Sequence, residues 1–102
     1  MGFKRVRELL IAALAGGRYQ HERRSAAAEK NLLSCGAVTA NFVVTLLLRC
    51  RGDQYSASAH HFDARVRCHV FRPSLGPERW YVKAYLLGTD AVFISVHRSE
   101  EE

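Results

Sequence analysis

The sequence lacks the residues from which metal sites and disulfide frameworks are usually built. Ten acidic residues are present, but three of them end the chain, and the remaining seven (10 − 3) form no cluster of the kind that holds a catalytic Mg²⁺. The cysteines, Cys35, Cys50 and Cys68, are odd in number and widely spaced, which favours reduced thiols in or near a core. We therefore predict no metal site and no cofactor, and a two-metal nuclease is disfavoured.

Long apolar runs and internal repeats are missing as well. The longest apolar run, residues 42–48, is interrupted by Thr45 and falls well short of the roughly 18 residues of a membrane span. Residues 3–14 have a basic amphipathic pattern in place of a signal sequence. These absences predict a cytoplasmic protein without a membrane partner.

Positive charge is what the chain has in excess. Fifteen Lys and Arg against ten Asp and Glu give +5, and without Glu100, Glu101 and Glu102 the balance is 15 − 7, or +8. A length of 102 residues suits one core, so we predict a single domain over residues 1–99 and an acidic tail at 100–102. Such a charge favours nucleic acid, an anionic membrane or an acidic protein as partner.

Helical periodicity occupies the first half of the chain. Apolar residues recur at helical spacing, Gly16-Gly17 follows the first such segment, and Ser25 can cap the second. The run 42–48 fits a helix better than a buried strand, although its branched residues allow both. The predicted segments are a helix over 3–14, an extended link over 18–21, a helix over about 24–34 and a helix from 39 or 40 to about 49.

After Gly52 the pattern alternates with period two, as in strands. The predicted strands are 54–60, 65–72, 79–87 and 91–98, with a hairpin turn at 88–90. Residues predicted to face the helices are Trp80, Val82, Ala84, Leu86, Val92, Ile94 and Val96, with Phe93 outward. In the strand 65–72, Cys68 lies on the apolar side. We expect an α+β fold in which N-terminal helices pack on one face of an antiparallel sheet.

The opposite face of this sheet is predicted to carry phenol, ammonium and imidazole groups. Cleaving RNA without a metal requires a proton acceptor for the 2′-hydroxyl, cations beside the phosphate and a proton donor for the leaving oxygen. Tyr81 and His97 are the candidate catalytic residues, and Arg67, Arg72 and Lys83 the candidate phosphate-binding residues. Each alone is more often a residue of a solvated sheet surface, so only their convergence indicates an RNA-cleaving site.

The adjacent histidines, His60 and His61, look most like a metal-ligand pair. Neighbouring residues of a strand point to opposite faces, however, so the two imidazoles cannot both bind one ion. The pair therefore does not change the prediction that the chain has no metal site.

The C-terminal half resembles the MqsR family, the toxins of bacterial type II toxin–antitoxin pairs. The resemblance is carried by V-F-R-P-x-L at 70–75, Y-V-K at 81–83 and V-F-I-S-V at 92–96. It extends upstream through Asp53, Tyr55 and Asp63, and the opening at 6–17 is similar to the family's first helix. It implies a RelE-like fold, sequence-selective endoribonuclease activity on mRNA without the ribosome, and a cognate antitoxin protein as partner.

The family's functional residues are a tyrosine, two lysines and a glutamine. The tyrosine falls on Tyr81, and one lysine falls on His97 after allowing one inserted residue; imidazole can act as acid or base near neutral pH. The other lysine falls on Ser56 and the glutamine on Cys68, and neither replacement supplies the same charge or amide. Groups that could compensate for these losses are Arg67, His69, His60 and His61.

These two departures leave three functions open. The first is a toxin whose target sequence or mechanism has changed. The second is a catalytically altered relative that binds nucleic acid or protein without cutting. The third is an interaction module in which the acidic tail and the basic body meet partners or one another.

Overall fold

The computed structural model describes residues 2–22 and 30–99, which contain two α-helices and six β-strands. In chain order these elements are α1 (Phe3–Ala15), β1 (Tyr19–His21), α2 (Ala40–Arg49), β2 (Tyr55–Ala59), β3 (Arg67–Phe71), β4 (Ser74–Leu75), β5 (Glu78–Leu87) and β6 (Asp90–Arg98). A 3₁₀ turn, Gly52–Gln54, precedes β2. The predicted α+β class is confirmed.

The helices begin and end where the local sequence favours it. The Thr39 hydroxyl accepts a hydrogen bond from the Phe42 backbone N–H at 3.1 Å and caps α2, so residues 42–48 are helical. Gly17, with φ 71°, takes the left-handed conformation that follows α1. Of the predicted helix over 24–34, residues 24–29 lie outside the described residues, and 30–34 form turns in which Asn31 bridges to Val96.

The sheet is mixed, so the prediction of an antiparallel sheet is wrong at one edge. Its strand order is β1-β6-β5-β3-β2, with β4 paired to β5, and β1 runs parallel to β6. The link predicted over 18–21 supplies this edge strand. Its backbone meets the free side of β6, where Ala91 N–H donates to the Arg18 carbonyl at 3.0 Å and Glu22 N–H to that of Phe93 at 2.9 Å.

The core lies between the two helices and one face of the sheet. Val6 and Leu10 of α1 and Leu46 of α2 are fully buried, and each such side chain contributes roughly 1.5–3 kcal/mol of burial free energy. As predicted, Trp80, Val82 and Ala84 of β5 face the helices; the Trp80 ring packs edge-on against Phe42 with centroids 5.0 Å apart.

The prediction of which β6 side chains face the helices is wrong between the hairpin turn and a β-bulge. Lys83 pairs with Ser95 but Ala84 pairs with Phe93, so Ile94 is an extra residue in β6. The bulge turns Phe93, with no exposed surface, toward the helices, and Val92 and Ile94 away from them. Val96, on the other side of the bulge, faces the helices as predicted.

Side chains of β3 alternate as predicted, but the side that carries Cys68 and Val70, which was expected to meet the helices, points away from them. His69 pairs with Ala84 and Phe71 with Val82, so both point toward the helices, whereas Val70 pairs with Lys83. Cys68 and Val70 therefore point to the other side of the sheet, and both are buried there. The expectation of buried thiols holds for Cys50 and Cys68 but not for Cys35, which is exposed.

We call the side of the sheet away from α1 and α2 the helix-distal face. Its residues include Ser56, Cys68, Val70, Tyr81, Lys83, Tyr85, Val92, Ser95 and His97. One end of this face is covered, because Nε2 of His60 lies 2.6 Å from the Glu22 carboxylate, and the His60 ring packs edge-on against Tyr85 at 5.3 Å. The end that carries Tyr81 and His97 is more open. Across residues 2–22 and 30–99, no helix has the length and apolar character needed to cross a bilayer.

Candidate functional site

Three of the predicted site residues meet at the open end of the helix-distal face. The Tyr81 and His97 rings stack with centroids 5.1 Å apart and planes 19° apart. The guanidinium carbon of Arg72 lies 5.3 Å from the centroid of the Tyr81 ring. We call Arg72, Tyr81 and His97 the Tyr81 stack; it brings a cation, a phenol and an imidazole together.

The register of three neighbouring strands produces this stack. Tyr81 of β5 pairs directly with His97 of β6, so their side chains share one face. In the β3–β5 register Phe71 pairs with Val82, so the next residue of β3, Arg72, lies beside Tyr81 on the side away from His97. The Arg72 backbone N–H donates to the Gln54 carbonyl at 2.9 Å, which fixes the chain where β3 ends.

The His97 imidazole has a defined tautomer. Its Nδ1 lies 2.8 Å from the Arg98 carbonyl oxygen, and because a carbonyl only accepts, Nδ1 carries the proton. In the neutral ring the lone pair is therefore on Nε2. That nitrogen can accept a proton from a substrate or return one to it.

Lys83 lies one row along the same face. It is two residues from Tyr81 on β5, about 7 Å along the strand, and it is half-buried beside Ser95. Ser56 belongs to the same row, but Val70 of β3 separates it from Lys83. The structure thus brings Lys83 toward the Tyr81 stack and leaves Ser56 two strands away.

Arg67 and His69 lie on the opposite side of the sheet from the Tyr81 stack. Both belong to the helix side of β3, where the Tyr55 hydroxyl lies 2.7 Å from Nδ1 of His69. His69 is only 6 % exposed, and burial, with the nearby charge of Arg67, lowers the pKa of its imidazole. Cys68 is fully buried. Cys68 lies on the helix-distal face but is covered, so none of the three contributes to the surface around Tyr81 and His97.

We expect the buried His69 to make folding less stable as the solution becomes acidic. Its folded-state pKa is lowered, so the unfolded chain takes up the proton first as pH falls below about 6.5. The free energy of unfolding then falls by about 1.4 kcal/mol for each unit separating the two pKa values, until the folded form is protonated as well. Urea unfolding between neutral and mildly acidic pH measures this loss.

The double variant Tyr55→Phe/His69→Phe is the matched control for this prediction. It replaces both hydrogen-bonding partners with apolar rings of similar shape, so that neither is left unpaired in the core. Its stability should fall less on acidification than that of the parent; some loss remains because burial also lowers the pKa of His21. Equal pH dependence in the two proteins would contradict the prediction.

His60 and His61 do not form a pair in the structure. The Phe62 backbone N–H donates to Nδ1 of His60 at 3.0 Å, so this nitrogen carries no proton. The proton of the His60 ring is therefore on Nε2, which donates to the Glu22 carboxylate. His60 packs on Tyr85, four residues or about 13 Å along β5 from Tyr81, and His61 is exposed. Both compensating candidates are thus remote from the Tyr81 stack.

Two arginines that the sequence pattern did not indicate lie near Arg72 of the Tyr81 stack. Arg51 and Arg79 share a surface cleft with Arg72. Arg51 precedes the 3₁₀ turn and Arg79 lies near the start of β5, far apart in sequence, and no periodicity connects them. The only signal was the excess of arginine around 49–51 and 72–79, which does not determine where the side chains meet.

No match to this chain is found among protein-family models, curated proteins or solved structures. Within the ranges 2–22 and 30–99, no three His, Cys, Asp or Glu side chains group closely enough to hold one metal ion. The geometry of the described residues is therefore the basis on which a function can be proposed.

Proposed function

We propose that this protein is the toxin of a bacterial type II toxin–antitoxin pair, a metal-independent endoribonuclease that cleaves mRNA at the Tyr81 stack. The observation that carries the proposal is the alignment of Arg72, Tyr81 and His97 across three adjacent strands, at the more open end of one face. The RelE-like fold and the MqsR-like order of residues are parts of the same proposal.

The stack supports a two-proton mechanism. Nε2 of His97 takes the proton of the 2′-hydroxyl, and the 2′-oxygen forms a bond to phosphorus. The bond from phosphorus to the 5′-oxygen breaks, and Tyr81 O–H donates a proton to that oxygen. The products are a 2′,3′-cyclic phosphate and a 5′-hydroxyl end, so atoms and charge balance without a co-reactant.

The positions of the protons on the two rings assign His97 as the base and Tyr81 as the acid. Neutral His97 has its lone pair on Nε2, because Nδ1–H is held by the Arg98 carbonyl. The phenol of Tyr81 carries a proton to donate, and the phenolate that forms lies beside the Arg72 guanidinium. Arg72 and Lys83 are the cations that stabilise the charge developing on the phosphate oxygens.

The partners follow from the same proposal. A net charge of +8 over residues 1–99 attracts an RNA strand to the site. A cognate antitoxin would neutralise the toxin in the cytoplasm, where its mRNA substrate is found. An adjacent gene encoding a small DNA-binding or zinc-binding protein would support this part of the proposal.

Cleavage of a defined RNA by the purified protein tests the proposal. The reaction contains excess EDTA, and the products are analysed for cyclic-phosphate and 5′-hydroxyl ends. The double variant Tyr81→Phe/His97→Gln, purified in parallel, controls for a contaminating ribonuclease. Tightly controlled expression should arrest growth for the parent chain only. A parent chain that neither arrests growth nor cuts any RNA would end the proposal.

A second candidate function is a noncatalytic nucleic-acid-binding relative. It is favoured by the two departures from the family pattern, because Cys68 is fully buried and Ser56 stands two strands from Lys83. Such a protein would bind RNA with an affinity that falls steeply with salt and would release no product. Binding and cleavage measured on the same RNA distinguish the two functions.

A further inference from the structure

A cleft of about 270 Å³ lies at the end of the sheet where the Tyr81 stack is found. It is formed by the 3₁₀ turn, the ends of β3 and β6, the start of β5 and strand β4. The residues that line it are Arg51, Gln54, Arg72, Ser74, Arg79, Trp80 and Ser99. Three arginines and two serines therefore line one hollow, and no acidic residue of the described ranges 2–22 and 30–99 is among its lining.

The three arginines differ in how far they are already neutralised. Nε of Arg51 lies 3.1 Å from the Asp53 carboxylate, an exposed ion pair that solvent screens. Across the described ranges, neither Arg72 nor Arg79 forms an ion pair. Among the described residues, the cleft thus holds positive charge that no carboxylate pairs and that an incoming anion can neutralise.

Backbone hydrogen bonds hold the walls of the cleft in place. Arg72 N–H donates to the Gln54 carbonyl at 2.9 Å, and Trp80 N–H to the Pro73 carbonyl at 2.9 Å. Ser99 N–H donates to the Arg79 carbonyl at 2.7 Å. Each bond ties one lining segment to another, so an anion binds without first ordering the backbone.

We propose that this cleft is a second phosphate subsite, which binds the phosphodiester adjacent to the one cleaved at the Tyr81 stack. The inference rests on the proposed function for the identity of the neighbouring site. Arg72 connects the two sites, because it lies over the Tyr81 ring and also lines the cleft. A polyanion that occupies the stack therefore has its next charged group directed into the three-arginine hollow.

The chemistry of the lining matches a phosphodiester. Guanidinium groups present paired N–H donors to phosphate oxygens, and the hydroxyls of Ser74 and Ser99 can donate to the same atoms. Trp80 is only 4 % exposed, with its ring packed on Phe42, so the cleft offers no platform for stacking a base. The subsite consequently binds the backbone and contributes affinity, not sequence selectivity.

The test measures binding of a short all-deoxy oligonucleotide, which has no 2′-hydroxyl and cannot be cleaved by the proposed mechanism. Arg79→Ala removes a cleft cation, and Arg5→Ala is the matched control, since Arg5 is exposed on α1 and paired with Glu8. Both variants lose one positive charge. We expect Arg79→Ala to weaken binding about tenfold and to reduce the slope of log affinity against log salt by about 0.7. Arg5→Ala should change binding less than about twofold.

A second measurement detects the cleft directly. Inorganic phosphate titrated into the ¹⁵N-labelled chain should shift the side-chain Nε–H signals of Arg72 and Arg79 and leave that of Arg5 unchanged. Retained signal dispersion in Arg79→Ala establishes that the variant is folded. Equal oligonucleotide affinity and salt slope in Arg79→Ala and Arg5→Ala would overturn the subsite, even if the parent chain cuts RNA. Binding that depends on Arg79 in a chain that cuts no RNA would retain the phosphate site and reject the nuclease.

Discussion

Tyr81→Phe and His97→Gln should each slow RNA cleavage by about a hundred- to ten-thousandfold, the usual effect of removing a general acid or base. Phenylalanine preserves the ring that stacks on His97 at 5.1 Å and removes only the hydroxyl. Glutamine remains polar but cannot transfer a proton. Single-turnover rates on a defined RNA with EDTA present measure both losses, and oligonucleotide affinity should change little in either variant.

A substrate with sulfur in place of the 5′-bridging oxygen separates the acid from the base. A thiolate leaves without prior protonation, so Tyr81→Phe should recover most of its lost rate on this substrate if Tyr81 is the acid. His97→Gln should remain slow, because the 2′-hydroxyl still requires a base. The reverse pattern would exchange the two roles, and full activity of either variant on ordinary RNA would remove that residue from the mechanism.

The Tyr81 stack was largely accessible to sequence reasoning because it depends on short-range alternation. Tyr81, Lys83 and His97 were predicted to share one face, and they do, since alternation holds along β5 and along residues 95–98 of β6, and the register beyond the bulge pairs His97 with Tyr81. Arg67 was grouped with them because alternation in the strand 65–72 sets it opposite the apolar side that carries Cys68 and Val70. Its position on the other face depends on the β3–β5 register, which joins segments without a tight turn and leaves no local signal.

In the helical half and at the edge of the sheet, too, features with a local sequence signal were predicted and features set by distant contacts were not. The limits of α1 and α2 agree with glycine and threonine signals that lie beside them in sequence. The parallel pairing of β1 with β6 involves only three residues, Tyr19–His21, too few for a periodicity to be recognised. The three-arginine cleft depends on tertiary contacts among four segments, and no single segment predicts it.

The β-bulge at Ile94 is the clearest case in which alternation misleads. Residues 91–94 are all apolar, so the sequence does not distinguish which of them face the helices. Strict alternation counted back from Val96 points Ile94 and Val92 inward, whereas one extra residue turns Phe93 inward. The same bulge leaves Ser95 and His97 on the helix-distal face, so the position of the candidate site depends on it.

Phe93→Ala should lower the free energy of unfolding by about 3–5 kcal/mol, because the Phe93 ring is fully buried against Tyr19 and the helices and its removal leaves a cavity. A domain of this size is typically stable by about 5–15 kcal/mol, so the variant should unfold at a much lower urea concentration. Leu87→Ala is the control: Leu87 is 51 % exposed, and its truncation should cost about 0.5 kcal/mol or less. Similar unfolding in the two variants would contradict the buried position, facing the helices, that the bulge register gives Phe93.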